Sequence, residues 1–321
     1  NKDERYIKNA KAAAQWIIRE PLDPELMEIQ FRLPYEPYLS SPAHSYTFDN
    51  AMIITGLVHL FKATGESCWL DHAVALAERM IKFMQNKEGF FHAYFDMSSG
   101  KILESKEKWS QQPGVHHAKL AIPLLLLFKI TGDVFYKDSA LKVCEWILNR
   151  QESNGRFVTN PSDGSTTLHP HCYALEGLFF ADDHEGNPRF KSAILKGLRW
   201  LIESQLQTGG FPSEFKDKIF LRTERADALA QTIRLLCLAI NRGIVDEELT
   251  LPLLCMVRRI VSFQQKEGPS PEKGGFRFFS DERGNILPHL NAWVTIFSLQ
   301  ALQFFVNLSQ DNSIINMHFL C

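Results

Sequence analysis

The sequence repeats itself, and this repetition restricts the fold more than any other feature. Residues 61–66 read Phe-Lys-Ala-Thr-Gly-Glu and residues 128–133 read Phe-Lys-Ile-Thr-Gly-Asp, and an aromatic residue, an aspartate and an alanine follow each at matching positions. Glycine suits the left-handed position that ends a helix, and an acidic residue suits the positive start of the next one. Each stretch therefore predicts a turn between two helices, and looser copies carry Gly186 and Gly243.

A second motif marks the opposite end of each repeat, where a glutamine is followed by glycine and phenylalanine. It occurs at Gln85 with Gly89 and Phe90, Gln151 with Gly155 and Phe157, Gln205 with Gly210 and Phe211, and Gln265 with Gly275 and Phe276. We interpret the motif as a helix end, a chain turn and a phenylalanine that packs back. Regular repetition of such units is typical of stacked helical hairpins.

Two kinds of helix alternate in the pattern: helices that are apolar on nearly all sides belong in an interior, and amphipathic helices belong at a surface. The predicted inner helices are 47–63, 117–130, 171–181, 226–241 and 290–306. The predicted outer helices are 4–20, 68–85, 134–150, 189–205 and 246–265. The sequence thus predicts an all-α fold, an α/α toroid (barrel) of about five hairpins. We expect one domain over residues 1–306, a C-terminal tail at 307–321, and a kink at Pro123.

Composition and charge exclude several kinds of partner. The net charge is −2, from 37 acidic and 35 basic residues that are interspersed along the chain. Nucleic-acid binding needs a basic face, so no nucleic-acid partner is expected. The longest apolar run, residues 120–128, is too short to span a membrane. The six cysteines have no paired spacing, which favours reduced core thiols over disulfides.

The location of the protein in the cell is only weakly indicated by the sequence. No signal peptide is visible, which favours the cytoplasm. The chain starts at Asn1 without a methionine, however, so a leader or a further domain could have been removed. No cofactor is expected, and the sequence does not indicate an oligomeric state.

Three stretches carry a resemblance to a known group of enzymes. The turn at 128–133, with the aromatic, aspartate and alanine after it, resembles the Thr-Gly-Asp turn of α/α-toroid carbohydrate-active enzymes. These include six-hairpin glycosidases, unsaturated-uronide hydrolases, sugar epimerases and toroidal polysaccharide lyases. Residues 45–51 are similar to the Tyr-x-x-Asp-x-Ala start of a catalytic inner helix in such hydrolases. Residues 168–178 are similar to a segment of helical proteins from polysaccharide-biosynthesis clusters. The resemblance implies an enzyme acting on an acidic oligo- or polysaccharide, and five hairpins instead of six is a departure from it.

Long loops bring polar residues to the starts of the predicted inner helices. Loops gathered at one rim of a rigid scaffold usually carry function, so we expect these residues around one mouth. The candidate catalytic residues are Asp49, Asp227, His117, His171 and Tyr173. The candidate substrate-binding residues are Tyr46, Asn50, Trp109, His116, His169, Arg225, His289 and Asn291. Aspartate and asparagine are also ordinary helix N-caps, but capping does not require so many histidines and tyrosines.

Two chemistries fit these residues, and the sequence leaves both open. Glycoside hydrolysis needs two carboxyl groups, for which Asp49 and Asp227 are the candidates, with Glu176, Asp163 and Glu224 in reserve. β-Elimination or epimerisation at C5 of a uronate needs a neutralised carboxylate, a base and an acid. For that chemistry the candidates are Asn50, Asn291 or Arg225 as the clamp, His117 or His171 as the base, and Tyr173 or Tyr46 as the acid.

Three further classes stay open as alternatives. Zinc could be held by His169 and His171 with His117 or His289, although no cysteine pair accompanies them. A toroid could bind a glycan without turnover. Prenyltransferases and terpenoid cyclases also form α/α toroids with Gln…Gly-Phe turns, but the acidic Asp-x-Asp-Asp motif of the cyclases is absent here. We favour the carbohydrate-active enzyme, with no metal ligands assigned.

Overall fold

The computed structural model describes residues 4–19, 44–97, 99–245 and 250–310. Contacts divide the chain into two compact units that adjoin in sequence at Asn149 and Arg150, and each unit is described by itself. The prediction of one domain over residues 1–306 therefore stays a prediction. The last helix continues to Ser309, and residues 311–321 lie outside the described part, so the predicted tail at 307–321 stays a prediction.

The first unit is helical with one small sheet. Its α-helices are α1 (Glu4–Arg19), α2 (Thr47–Thr64), α3 (Ser67–Met84), α4 (Ala121–Thr131) and α5 (Val134–Leu148). Its antiparallel strands are β1 (His44–Tyr46), β2 (Tyr94–Asp96) and β3 (Lys101–Leu103), in that order across the sheet. Two 3-10 helices, Trp109–Gln111 and Val115–Leu120, precede α4.

The second unit repeats this arrangement. Its α-helices are α6 (Leu168–Glu185), α7 (Pro188–Glu203), α8 (Ala226–Asn241), α9 (Thr250–Ser262) and α10 (Ala292–Ser309). Its antiparallel strands are β4 (Thr166–Thr167), β5 (Pro212–Lys216), β6 (Ile219–Arg225) and β7 (Phe279–Ser280), again in chain order. The strands lie in the long connections that lead into the next inner helix.

The Thr-Gly-Asp turns join the two helices of each hairpin, as predicted. In the described residues, α2 packs on α3 and α4 on α5 in the first unit, and α6 packs on α7 and α8 on α9 in the second. The helices α2, α4 and α6 end at glycines with positive φ, namely Gly65, Gly132 and Gly186. Asp133 and Asn187 then cap the next helices through their side chains, because each accepts a hydrogen bond from a backbone N–H two residues on.

The glutamine motif links one hairpin to the next. The Gln85 Nε2 donates to Gly89 O (2.9 Å) in its own turn and to Ser139 O (3.0 Å) in α5. The same two bonds recur at Gln151 (Gly155 O and Ala193 O, 2.9 and 2.8 Å) and Gln205 (Gly209 O and Pro252 O, 3.1 and 3.4 Å). The motif that prompted the prenyltransferase and cyclase alternative is therefore a structural clamp.

Glycine is required in these turns because the following outer helix touches them. A Cβ on Gly155, at φ 94°, would lie 2.2 Å from Lys196 O, and one on Gly89 would lie 2.7 Å from Lys142 O. The phenylalanine two residues after the glycine is buried in each copy, at Phe91, Phe157 and Phe211. The phenylalanines therefore pack back as predicted, except that the buried one in the first copy is Phe91 and not Phe90.

The second predicted inner helix begins later than the sequence suggested. Residues 115–120 form a 3-10 helix and α4 starts at Ala121, so Pro123 lies in its first turn. The first N–H groups of a helix have no partner inside it, so proline fits there without breaking a bond. Pro123 therefore lies in the first turn of α4 and not in its interior, and the expected kink stays a prediction.

The sheets are missing from the sequence-based prediction, which treats their strands as loops. The longest strands, β5 and β6, are joined through Asp217 and Lys218, which have φ values of 52° and 64°. Two residues with positive φ close a tight hairpin, but this turn lacks the Asn-Gly or Asp-Gly pair that usually signals one. The loop assignment was wrong because Lys218, at the second turn position, stands where glycine usually signals such a hairpin.

Burial separates the two kinds of helix as predicted. Within the second unit, α6 is buried from Leu168 to Ala181 and α8 from Ala226 to Ala239, whereas α7 buries only one side. The described cysteines are all free thiols, in agreement with the expectation of reduced side chains.

The search for uninterrupted apolar runs overlooked the last helix, α10, which is apolar on average over its length. By length and composition alone it could cross a membrane. It packs on α8 and α9, and its Gln300 accepts a hydrogen bond from Arg234. Part of its apolar surface is exposed, at Trp293, Ile296 and Leu299.

Candidate active site

A chain of polar contacts lies at the paired starts of α6 and α8 in the second unit. His169 and Asp227 are the second residues of the two helices, and His169 Nδ1 lies 3.4 Å from Asp227 Oδ2. Both side chains are buried in a largely apolar surrounding. Buried polar groups need partners, and each of these two has one on the opposite helix.

Arg225 holds the Asp227 carboxylate from the end of β6. Its Nε and Nη2 donate to the two carboxylate oxygens at 3.1 and 2.5 Å, and Ala228 N donates to Oδ1 at 2.8 Å. Burial alone would raise the pKa of Asp227, but His169, Arg225 and these hydrogen bonds lower it below its usual range. Asp227 is therefore ionised, and both of its carboxylate oxygens accept hydrogen bonds from neighbouring donors.

Gln231 completes the surroundings of the His169 ring. Its Oε1 lies 2.7 Å from His169 Nδ1, and its Nε2 lies 3.4 Å from Glu176 Oε1. Tyr173 packs edge-on against the imidazole with the ring centroids 4.5 Å apart. Burial lowers the pKa of His169, partly opposed by the Asp227 charge, so the imidazole is neutral at pH 7.

A fully buried ion pair lies beyond Gln231. Arg234 Nη2 donates to Glu176 Oε1 at 2.5 Å, Arg234 Nη1 donates to Gln300 Oε1 of α10, and both charged side chains have 0% exposure. The Arg234 guanidinium also stacks over the Phe297 ring, 4.3 Å from its centroid. Arginine pairs well in such places because its planar donor fork satisfies several acceptors at once.

Sequence reasoning missed three members of this cluster, namely Gln231, Arg234 and Gln300. The spacing of the polar residues along α6 and α8 does carry a signal for them. The polar residues of α6 at 169, 173 and 176 and those of α8 at 227, 231 and 234 share the same spacing of four and then three residues. That spacing places side chains on one face of a helix, and polar side chains on one face of an otherwise apolar inner helix indicate a shared polar cluster.

The predicted site residues of the first unit fall into two groups. Tyr46 packs against Tyr94 (5.2 Å between ring centroids), and its hydroxyl accepts from Gln111 Nε2 at 3.3 Å. Asn50 is buried and donates to Ser45 Oγ and Tyr46 O, so it fixes the start of α2. Asp49 lies beside it, and burial raises the pKa of its carboxyl group to about 6.

The two neighbouring histidines of this unit lie in its interior. His116 and His117 have 0% and 1% exposure. Trp109 packs edge-on against His116 with the ring centroids 5.0 Å apart, and the two histidine rings are 4.1 Å apart. Burial lowers the pKa of His117 to about 3, although a contact with the Phe91 backbone opposes this. These rings pack together beside the loop at 109–120, and the predicted roles of Trp109, His116 and His117 in catalysis or sugar contact stay predictions.

His171 has a structural role in the second unit. Its Nδ1 accepts from Phe157 N at 3.2 Å, and its Nε2 donates to Gly197 O at 3.4 Å. Both nitrogens are engaged with the backbone and the side chain is fully buried, so burial lowers its pKa to about 3. The expected role of His171 as a base therefore does not fit its surroundings.

The remaining candidates of the second unit are explained by local structure. The Asn291 Oδ1 caps α10 by accepting from Val294 N at 3.1 Å, and His289 is exposed and lies against Phe278 and Phe279. The reserve carboxylates are also paired. Glu224 binds Arg259 through both oxygens at 2.8 Å, and Asp163 binds Lys216 at 2.8 Å.

The zinc alternative finds no support in the described residues. No group of three or more His, Cys, Asp or Glu side chains there could hold a metal ion. His169 faces Gln231 on α8, whereas His171 faces the turn at Phe157, so the two rings point to different neighbours.

Each unit brings some of the predicted residues together. Asp227, His169, Arg225 and Tyr173 come together in the second unit, and Tyr46, Asp49 and Asn50 are neighbours in the first. The prediction that all of them share one mouth stays a prediction.

Comparisons with known proteins bear on the fold. No protein-family model and no curated protein sequence matches this chain. Among solved structures, a cellobiose 2-epimerase from Bacillus thermoamylovorans matches with a TM-score of 0.77 and 12% identity, covering 95% of this chain and 82% of that one. A D-mannose isomerase matches with a TM-score of 0.75 and 11% identity, covering 97% and 83%. A polysaccharide lyase matches with a TM-score of 0.66 and 11% identity, covering 98% and 87%.

This chain has the α/α-toroid fold. The predicted fold class is therefore confirmed over nearly the whole length of the chain. At such low identity the likeness shows the fold alone, because toroids of this kind carry several chemistries. The roles of individual residues have to come from the contacts of the site.

Proposed function

We propose that this protein is a carbohydrate-active enzyme that removes and returns a proton at a sugar carbon, as an epimerase or isomerase does. The observation that carries the proposal is the contact of His169 Nδ1 with Gln231 Oε1, 2.7 Å apart, beside Asp227. An oxygen acceptor at Nδ1 leaves the lone pair on Nε2. A neutral imidazole with one nitrogen held by acceptors is the usual form of a histidine base.

The chemistry follows from the groups around the ring. Nε2 of His169 takes the proton from a carbon next to the sugar carbonyl, and the electron pair of the C–H bond moves to the carbonyl oxygen to give an enediolate. Tyr173 is a candidate donor to that oxygen, because burial raises its pKa well above the usual range and keeps the phenol protonated. Return of the proton from the imidazolium to the same carbon, after the enediolate has turned its opposite face toward His169, gives the epimer. Return of the proton to the neighbouring carbon, with the hydroxyl proton of the enediolate moving to the former carbonyl oxygen, gives the isomer.

The likeness in fold supports this class of reaction. The matched cellobiose 2-epimerase and D-mannose isomerase have higher TM-scores than the matched lyase, 0.77 and 0.75 against 0.66. Epimerisation and isomerisation, the activities for which these two proteins are named, both rearrange a sugar without breaking a glycosidic bond. The comparison is one of fold, and the His169 surroundings supply the chemical argument.

Charge pairing in the cluster favours a neutral sugar over the acidic saccharide that the sequence resemblance implied. Arg225 binds Asp227 through both carboxylate oxygens, and Arg234 binds Glu176. Each guanidinium already has a carboxylate partner, so a uronate would have to compete with a side chain for its counter-ion. A sugar hydroxyl or carbonyl needs no such exchange.

Glycoside hydrolysis is the second candidate, and Asp49 is the observation that favours it. Burial raises the pKa of its carboxyl group to about 6, and a carboxylic acid that keeps its proton up to about pH 6 can protonate a leaving oxygen or a vinyl ether. Asp227 is the partner that the sequence suggested, but its oxygens are held by Arg225 and Ala228 N.

A panel of reducing sugars and oligosaccharides, neutral and acidic, separates these possibilities. After incubation the products are identified by NMR and chromatography. We expect an epimer or isomer of a neutral sugar with the chain length unchanged. Shortened chains would favour hydrolysis, a new double bond would identify a lyase, and binding without any product would identify a glycan-binding protein. Any of these three results would overturn the proposal.

A further inference from the structure

The amide of Gln231 lies between two groups. One has a fixed hydrogen-bonding role, and the role of the other depends on its tautomer. On one side is the Glu176 carboxylate, paired with Arg234. On the other side is the His169 ring, whose two nitrogens exchange roles between tautomers. Gln231 itself is fully buried on α8, with 0% exposure. A buried amide keeps its orientation when both ends have partners.

Glu176 fixes which end of the amide faces which neighbour. An ionised carboxylate only accepts hydrogen bonds, so the group 3.4 Å from Glu176 Oε1 has to be the Gln231 NH2. Arg234 only donates, and it holds Glu176 in place with Gln300 as its second acceptor. The carbonyl oxygen of Gln231 is therefore turned toward His169.

The orientation of the amide then fixes the tautomer of the histidine. A carbonyl oxygen cannot donate, so the 2.7 Å contact requires the proton on His169 Nδ1. Asp227 Oδ2, 3.4 Å from the same nitrogen, is also an acceptor and favours the same tautomer. Other titratable groups facing the ring are Tyr173 on its own helix, Arg225 at the end of β6 and Glu176 two turns further along α6.

We propose that Gln231 is a positioning residue that holds His169 in its Nδ1–H tautomer, and that the buried Glu176–Arg234 pair acts through it by fixing the amide. The inference rests on the proposed function for its consequence, because only a lone pair on Nε2 lets His169 act as a base. The tautomer itself is a property of the folded protein, and it can be measured without any substrate.

Nitrogen-15 NMR of histidine-labelled protein tests the proposal, with His169→Gln used to assign the signals. We expect wild-type His169 to be neutral at pH 7 with the proton on Nδ1. We expect Gln231→Met, which keeps the size but removes both polar groups, to shift the population toward Nε2–H. Gln303→Met is the matched control on the exposed side of α10, and it should leave the His169 signals unchanged.

Steady-state kinetics add the functional consequence. We expect Gln231→Met to lower kcat on the sugar identified by the panel by about 10-fold to 100-fold, with little change in KM, as losing the partner that orients a catalytic side chain does. Wild-type His169 with its proton on Nε2 would overturn the proposal even if Gln231→Met failed to fold. An Nδ1–H signal that persists in folded Gln231→Met would also overturn it. If the tautomer is as expected but His169→Gln retains full sugar turnover, then the proposed function fails and the positioning role of Gln231 stands.

Discussion

His169 Nδ1 and Asp227 Oδ2 lie 3.4 Å apart, and they come from the second residues of two neighbouring inner helices. The contact joins a neutral ring to a carboxylate that Arg225 already neutralises. A carboxylate in this position orients an imidazole and stabilises the positive charge that forms when the ring takes a proton. The pair therefore suits a base that is charged only during turnover.

Replacing Asp227 should affect turnover more than binding. In Asp227→Asn the side chain keeps its size but cannot offset the charge of the imidazolium, and Arg225 loses its counter-ion. We expect kcat to fall by about 100-fold or more, on the scale seen when a histidine base loses its carboxylate. Asp163→Asn is the control, since Asp163 is bound to Lys216 in a partly exposed pair. Equal rates for the two variants would count against the role of Asp227.

Asp49 should make the folded protein less stable as the pH rises. Its pKa is about 6 in the fold against an ordinary value of 3.8, so its favourable contribution is complete below pH 3.8 and is lost as the pH rises through 6. We expect Asp49→Asn to raise the free energy of unfolding at pH 7.5 by on the order of 1–3 kcal/mol. Urea unfolding at pH 4.5 and 7.5 measures this, and an equal effect at both pH values would contradict it.

His171 should make the protein sensitive to acid. Its pKa is about 3 in the fold against an ordinary value of 6.5, so its contribution is complete above pH 6.5 and is lost as the pH falls toward 3. We expect His171→Gln, which keeps an acceptor for Phe157 N, to lose less stability between pH 6.5 and 4.5 than the wild type does. His171→Leu leaves that N–H unpaired and should cost about 1–3 kcal/mol at pH 7. Chemical unfolding curves at the two pH values decide, and parallel behaviour of wild type and His171→Gln would refute the assignment.

Glycine at the glutamine turns should be essential to packing, and two glycines of one connection allow a matched test. Gly155→Ala forces a positive φ on alanine and drives its Cβ against Lys196 O, 2.2 Å away, whereas Gly164→Ala has the same φ problem with nothing within 4 Å. We expect Gly164→Ala to cost about 1–2 kcal/mol and Gly155→Ala at least about 2 kcal/mol more. Thermal unfolding of both variants is sufficient, and similar losses would show that the turn can move away from α7.

Much of the fold was predictable because its signals are local. Gly65 and Gly132 end helices and Asp133 starts one, and those preferences are properties of the chain over a few residues. The start of α4 was predicted too early because a 3-10 helix and an α-helix share the same apolar pattern in a short segment. The strands β5 and β6 were missed because Lys218 occupies the turn position where glycine is usual.

The site was less predictable because its roles depend on partners from other helices. His169 and His171 are two residues apart on one helix, yet one ring contacts Gln231 and the other accepts from the Phe157 backbone. The sequence shows two equivalent histidines and cannot show which one meets a polar neighbour. Arg234 was overlooked because a charged residue in an inner helix suggests exposure until its partner Glu176 is known.

Solvent deuterium incorporation tests the central claim most directly. The sugar found by the panel is incubated in D2O with wild-type protein, His169→Gln or the control His72→Gln on α3, and the recovered sugar is analysed by NMR. The account predicts deuterium at the carbon next to the carbonyl with wild type and with His72→Gln, and a rate at least about 100-fold lower with His169→Gln. Wild-type incorporation by His169→Gln, or turnover by the wild type with no deuterium at any sugar carbon, would contradict it.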